Sequence, residues 1–364
     1  MIEDILSKYE KVYPISIDLP GAGFGAVLLI TMNQLRFCER KNYYPIVAYD
    51  TNSQNAFIDK DHGDNFWSQY FEPVLPFSFI NLIKTNIPKE RIFEQHSSLA
   101  IKISEEDIES IYPYPFGKWR FQIGEDLDHW YKLQRKKGRE TVSKYIRPKA
   151  HILEKVESYY NKHLIGSNVL GIHIRGTDLH YAPPVSPAEY FEPIEQYLIQ
   201  HPESKIFVAT DQKQYIETFR DKFGERVYFS NCFRSDNDVA PFNRPELSPY
   251  QKGEEVLLDI LILAKTNFLI KGVSNVGEIA LYFNKNLDCL DLGYKKVKAF
   301  GQRYDTAWDN MTNPGAWKLV GKNKLNDISH DAYSQNKAQE LYYELRKIIK
   351  QIRVVLGRIK QTLL

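Results

Sequence analysis

Short apolar runs alternate along this chain with segments whose apolar residues recur every three or four positions. The first run, Tyr13 to Leu19, reads as a strand, and a glycine-rich turn, Pro20 to Gly25, follows it. From Ala26 to Lys41 the positions Val27, Ile30, Met32, Leu35 and Cys38 keep helical spacing. Tyr44 to Tyr49 reads as the next strand. From Asn52 to Gly138 the pattern is less regular, and helices joined by long loops are expected there. Glu140 to His163 reads as a helix interrupted near Pro148.

A second series then begins. Strands are expected at Val169–Arg175, Ile206–Asp211, Val227–Ser230, Phe268–Val273 and Cys289–Leu292. Helices are expected at Pro187–Leu198, Gln214–Phe223, Gly253–Thr266 and Val276–Phe283, with a polar loop from Cys232 to Tyr250. Strands alternating with helices at this spacing predict an α/β protein with doubly wound parallel sheets. Two Rossmann-like domains facing across a cleft are expected, at residues 1–163 and 164–330, followed by a tail at 331–364.

The strand Val169–Arg175 carries charge where little is expected. Side chains alternate across a strand, so Val169, Gly171, His173 and Arg175 share one face, and Leu170, Ile172 and Ile174 the other. Parallel strands are usually covered on both faces. A guanidinium does not shed its proton, and burying it unpaired is costly. Arg175 therefore meets an anion: a ligand beyond the strand end, or an internal carboxylate such as Asp178 or Asp211. Spacing leaves both open.

Other strand ends are polar too. One finishes on Thr210-Asp211, and another on Ser274-Asn275 just before a helix, whose free N–H groups suit a phosphate. Ser274 also fits a plain N-cap. Asp259 interrupts the apolar run EEVLLDILILA, either facing solvent or held for a nucleobase or sugar hydroxyl. The turn Gly21-Ala22-Gly23-Phe24-Gly25 would let backbone approach a ligand, but it lacks dinucleotide-fingerprint spacing and also fits a tight connection.

Composition narrows the classes. The 364 residues are 43% hydrophobic and 26% charged, as in an ordinary globular protein. A net charge of +2 provides no global field for nucleic acid, so anion recognition must be local. Cys38, Cys232 and Cys289 are widely spaced, which fits neither a disulfide framework nor a zinc cluster and suits a reducing compartment. No run reaches the ~18 apolar residues of a membrane span, and the charged start, MIEDILSKYEKV, is not expected to be a signal peptide.

His173-Ile174-Arg175-Gly176-Thr177-Asp178 resembles the H-x-R-x-x-D motif of the fucosyltransferase superfamily, which includes the α1,6-, α1,2- and protein O-fucosyltransferases. The α1,6 group, with its rhizobial nodulation members, is the one it most resembles. The glycine turn, the Ala209-Thr210-Asp211 strand end, and Leu258-Asp259-Ile260 followed by Ser274-Asn275 agree in order. The resemblance covers about Leu19–Phe37 and Val169–Leu292.

It implies a GT-B-like fold and inverting, metal-independent transfer from a GDP-sugar, usually GDP-fucose, which is a substrate and not a cofactor. By position, Arg175 would meet the diphosphate and its leaving charge, and His173 and Asp259 the nucleoside. Ser274 and Asn275 would meet the phosphates, and Gly21, Gly23, Phe24 and Gly25 would approach the donor from the first domain. Thr210 and Asp211 complete the expected donor set.

One place departs from the α1,6 pattern. A lysine after the motif aspartate and a glutamate a few residues on are replaced by Leu179 and by Tyr181-Ala182-Pro183-Pro184. That leaves Asp178 and His180 as candidates for the general base, with His180 equally an ordinary loop histidine. The triplets Asp126-Leu127-Asp128 and Asp236-Asn237-Asp238 read as solvated surface and not as a metal site.

In the tail, Ile348, Ile349, Ile352, Val355, Leu356, Ile359 and Leu363 form an apolar stripe among Arg346, Lys347, Lys350, Arg353, Arg358 and Lys360. Residues 345–364 are expected to lie on an anionic membrane surface, pack on the body or pair with a second copy. The expected protein is a cytoplasmic bacterial enzyme, peripheral to the inner face of the membrane, acting on a glycan or lipid-linked acceptor in surface polysaccharide synthesis. The alternatives are a non-catalytic sugar-nucleotide-binding protein, a transferase using another nucleotide sugar, or an unrelated α/β enzyme with Arg175 in an internal ion pair.

Overall fold

A computed structural model describes residues 7–16, 22–47, 56–63, 65–76, 87–93, 109–113, 127–177, 185–237 and 239–293. All of them fall within one compact unit. Gly21, Asp178, His180 and the basic tail lie outside the described residues. Among the described residues no helix is long and apolar enough to cross a membrane.

The first half contains β1 (Lys11–Ile15), α1 (Phe24–Arg40) and β2 (Tyr43–Val47), with the two strands paired in parallel. The first strand thus starts and ends earlier than its apolar run implied, because Lys11 and Val12 pair with Tyr43 and Tyr44. A short helix α2 (Phe66–Tyr70) follows, capped by Asn65, whose side chain accepts from the Trp67 and Ser68 N–H groups. Helices α3 (Leu127–Tyr145) and α4 (Ala150–His163) are separated at Pro148, which cannot continue a helix without losing a hydrogen bond. Helix α3 begins well before Glu140, within the stretch that looked irregular in sequence.

The second half builds a five-stranded parallel sheet. Its elements are β3 (Val169–Ile174), α5 (Pro187–Gln200), β4 (Lys205–Thr210), α6 (Lys213–Phe223), β5 (Val227–Tyr228), α7 (Pro249–Ala264), β6 (Phe268–Lys271), α8 (Asn275–Phe283) and β7 (Asp288–Asp291). Caps explain several boundaries. Glu189 accepts from the Ser186 N–H ahead of α5, and Ser248 accepts from Gln251 N–H at the start of α7.

The strand order is β5-β4-β3-β6-β7. The chain winds outward from β3 through β4 to β5, then returns to place β6 on the other side of β3. That reversal is the topological switch point, where a crevice opens beyond the strands' carboxyl ends. The helices of the two windings serve different cores, α5 and α6 one and α7 and α8 the other.

The alternation expected along β3 holds. Leu170, Ile172 and Ile174 pack with Ile206, Val208 and Ile270 against Tyr190, Ile194, Ile216 and Phe219 of α5 and α6. Val169 joins the other core, with Phe207 and Leu269. That core also takes in Val156 of α4, Leu257 of α7, Ile279 of α8, Met32 of α1 and Tyr13 of β1. Apolar packing is therefore continuous from the first half of the chain to the sheet that carries the site.

Candidate functional site

His173 is the next-to-last residue of β3 and lies opposite Lys271 of β6 in the strand register. Its backbone carbonyl accepts from Tyr190 O–H at 2.9 Å and Gly272 N–H at 3.3 Å. The imidazole is only 5% exposed, and its Nδ1 is buried without a hydrogen-bond partner. Gly277, in the first turn of α8, lies over it: a Cβ there would stand 3.4 Å from His173 Nδ1 and 2.9 Å from Lys271 Cδ. Burial, then the charges of Arg175 and Lys271, press the imidazole down to about 3. It is therefore a neutral group at physiological pH, with one ring nitrogen unused.

One step further, Asp211 organises the exit from β3. Its carboxylate accepts from Gly176 N–H at 2.7 Å, Thr177 O–H at 2.7 Å and Thr177 N–H at 3.4 Å. Arg175 Nε lies 3.9 Å from the same carboxylate, and the side chain keeps 20% of its surface exposed. The internal partner raised as one alternative for Arg175 is thus present. Its short bonds, however, go to the turn and not to the guanidinium. Thr210 accepts from Gln212 N–H at 3.2 Å and shapes the end of β4.

Two helix N-termini meet beside this strand end. Ser274 caps α8, its hydroxyl accepting from Val276 N–H at 3.2 Å. Gly23 caps α1 without a side-chain hydrogen bond. A Cβ on Gly25 would come within 2.9 Å of Asn275 Cβ, so only glycine lets the two first turns touch. Asn275 Oδ1 is also buried without a partner. Two positive dipole ends therefore converge on a place that has unused polar groups. Phe24 is packed elsewhere: it is 2% exposed, in a ring cluster with Phe57, Phe66 and Tyr70, and anchors α1 in the core.

Asp259 belongs to a different cluster. Its carboxylate accepts from Ser230 O–H at 2.5 Å and lies 3.8 Å from Cys232 Sγ. Burial pushes this carboxyl up, while Arg234 and Ser230 oppose that shift. Strand β5 has only two residues, paired with Ile206 and Phe207 at the start of β4, so Ser230 leaves the sheet early. Of the acidic triplets, Asp128 is exposed at the start of α3, and Asp236 accepts from Arg244 at 3.0 Å; Asp126 and Asp238 lie outside the described residues.

Sequence reasoning missed a buried charge quartet next to His173. Lys271 and Glu278 are both 1% exposed and pair at 2.8 Å. Lys271 also reaches Asp291 at 2.5 Å, and Arg135 of α3 reaches Glu278 at 2.8 and 3.1 Å. Burial alone would raise the Glu278 carboxyl, but Lys271 and Arg135 overcome it and hold the group at about 2. Burial would lower Lys271, but Asp291 and Glu278 keep it above its ordinary value. The lysine at the end of the apolar strand FLIK was the available signal, as unusual there as Arg175 is on β3.

The fold and site define a doubly wound α/β protein with a candidate anion-receiving crevice at its switch point. No protein-family model matches the chain, and no curated protein matches it. Among solved structures, it is similar to the NodZ alpha-1,6-fucosyltransferase co-crystallised with GDP, at 16% identity over 74% of this chain and 91% of that one, TM-score 0.44. It is also similar to FUT1 of Arabidopsis thaliana, a point mutant in complex with GDP, at 11% identity over 80% of this chain and 73% of that one, TM-score 0.45. POFUT1 in complex with GDP is similar at 9% identity over 78% of this chain and 99% of that one, TM-score 0.48.

Proposed function

We propose that the chain is an inverting glycosyltransferase of GT-B-like organisation. It moves a sugar, with fucose expected, from a GDP-sugar to a glycan or lipid-linked acceptor without a metal. The observation that carries this is that His173 Nδ1 and Asn275 Oδ1 both stand at the switch point. Both are buried without a partner, beside converging helix N-termini. Such groups are costly in a finished core and ordinary in a ligand site. The H-x-R-x-x-D resemblance supplies the nucleotide-sugar class.

The acceptor hydroxyl attacks the anomeric carbon, the glycosyl C–O bond breaks, and its electron pair goes to the β-phosphate oxygen of GDP. The acceptor proton goes to a base, for which Asp178 and His180 are the candidates. Arg175, held beside the Asp211-bound turn, faces the growing phosphate charge, and the α8 and α1 N–H groups share it. One charge-assisted bond of this kind is worth about 1.5–3 kcal/mol. Neutral His173 suits a hydrogen bond to the nucleoside. Residues 164–330 form the donor side and 1–163 the acceptor side. Attachment of 345–364 to the inner membrane face would bring lipid-linked acceptors of bacterial surface polysaccharide within reach.

Thermal-shift titration with GDP, UDP, ADP and their sugars tests the donor, since a bound ligand raises stability by mass action. GDP and GDP-fucose are expected to raise the melting temperature most. A chain that no nucleotide stabilises overturns the proposal. GDP binding without transfer or hydrolysis of any GDP-sugar points to a non-catalytic binding protein, and preference for another nucleotide to a different donor.

The 3.9 Å approach of Arg175 to Asp211 favours one further reading, in which Arg175 is a member of an internal ion pair. Arg175→Ala would then lower stability and leave GDP affinity unchanged. The transferase reading expects the opposite, a loss of affinity of at least about tenfold with little change in melting temperature.

A further inference from the structure

An acidic side chain in the first turn of a helix suits its positive end, but it repels an anion arriving there. Glu278 is in the first turn of α8 and is fully buried. Left ionised and alone, it would oppose phosphate binding at Ser274 and Asn275. It is not alone: Lys271 and Arg135 both bind it, and Asp291 takes the remaining charge of Lys271. Two cations and two anions leave the quartet with no net charge.

We infer that Lys271 and Arg135 are positioning residues for the nucleotide site: they neutralise Glu278 beneath the N-terminus of α8, so that this helix end receives phosphate. Three observations point the same way. Lys271 is the register partner of His173 across β3 and β6. Its stem and His173 Nδ1 both lie against Gly277. The unpartnered Nδ1 of His173 and Oδ1 of Asn275 show that the same corner has groups left for a ligand. Arg135 comes from α3, far away in sequence, so the first half of the chain contributes to the electrostatics of a site built on the second.

The inference rests on the nucleotide reading above and is tested separately from it. Calorimetric titration of the full chain with guanosine, GMP and GDP compares the wild type with Lys271→Met and with the double variant Lys271→Met/Glu278→Gln. Lys271→Met leaves one uncompensated negative charge. Guanosine affinity is expected to stay within about twofold, and GDP affinity to fall by about tenfold or more, with GMP between them. The double variant removes one charge of each sign and is expected to bring GDP back within about threefold of the wild type. If Lys271→Met does not fold, Arg135→Met makes the same comparison at a side chain that is 19% exposed.

Equal losses for all three ligands, or a double variant no better than the single one, overturn the inference and leave the nucleotide reading standing. A wild type that binds none of the three overturns the nucleotide reading, and this inference with it.

Discussion

Gly25 and Asn275 hold the first turns of α1 and α8 against each other, with no room for a methyl group between them. Gly25→Ala gains intrinsic helix propensity, worth about 1 kcal/mol. The clash with Asn275 Cβ outweighs it, because backbone must move. A net loss of about 1–2 kcal/mol is expected in urea unfolding, with GDP affinity falling further as the helix ends separate.

His173 makes stability depend on acid. Its folded value, about 3, lies below the ordinary 6.5, so between these the unfolded chain binds more protons. Stability is fully present above pH 6.5 and is lost as pH falls toward 3. About 2 kcal/mol should disappear between pH 6.5 and pH 5. Glu278, held at about 2, adds a loss in the same direction below its ordinary 4.5. Unfolding free energy measured against pH should flatten in the upper window in His173→Asn and keep the lower one.

Asp211 and Arg175 should separate structure from ligand binding. Asp211→Ala strips the short bonds to Gly176 and Thr177 and is expected to cost about 3 kcal/mol. Arg175→Ala is expected to cost less than Asp211→Ala, since the short bonds of Asp211 go to the turn. Chemical denaturation of the two variants side by side gives the comparison.

Lys271→Met is expected to cost about 3–5 kcal/mol, because it leaves Asp291 buried without its cation. Lys271→Met/Asp291→Asn should recover more than half of that loss. Thermal unfolding of both variants measures it.

Asp259→Asn should be stabilising at neutral pH. The carboxyl is raised by burial, so its ionisation costs stability as pH rises through its folded value. The amide keeps an acceptor for Ser230. A higher melting temperature than the wild type, with the gap larger at pH 8 than at pH 4, is the expected scan. If Asp259 also holds the nucleoside, guanosine affinity falls in the same variant.

Much of the second half was legible along the chain. The five strands and their helices follow local apolar periodicity, and the split of Val169 from Leu170, Ile172 and Ile174 between the two cores follows from alternation along β3. His173, Gly25 and Asn275 stand out in three separate segments of the sequence, and the fold brings them to one place. Helix α3 was harder to see: it starts at Leu127, and its Gly138 and run of charges hide a helix whose Gly138 sits against the Tyr282 ring of α8. Phe24 belongs to the glycine turn that the resemblance sets toward the donor, and its ring is packed in the core against Tyr70.

The amino-acid order by itself determined which segments are strands, which ends are polar, and that a cation directly follows β3, because each depends on neighbours a few residues apart. Only the tertiary structure decided what those charges meet. Asp211 became the clasp of the β3 exit, Asp259 the partner of Ser230, and Lys271 the centre of a four-charge cluster. Those partners lie 34, 29, 7 and 20 positions apart in sequence, and no local pattern fixes which buried acid a buried base will find. The cost of leaving any one of them unpaired is set by burial, and burial exists only once the chain has folded.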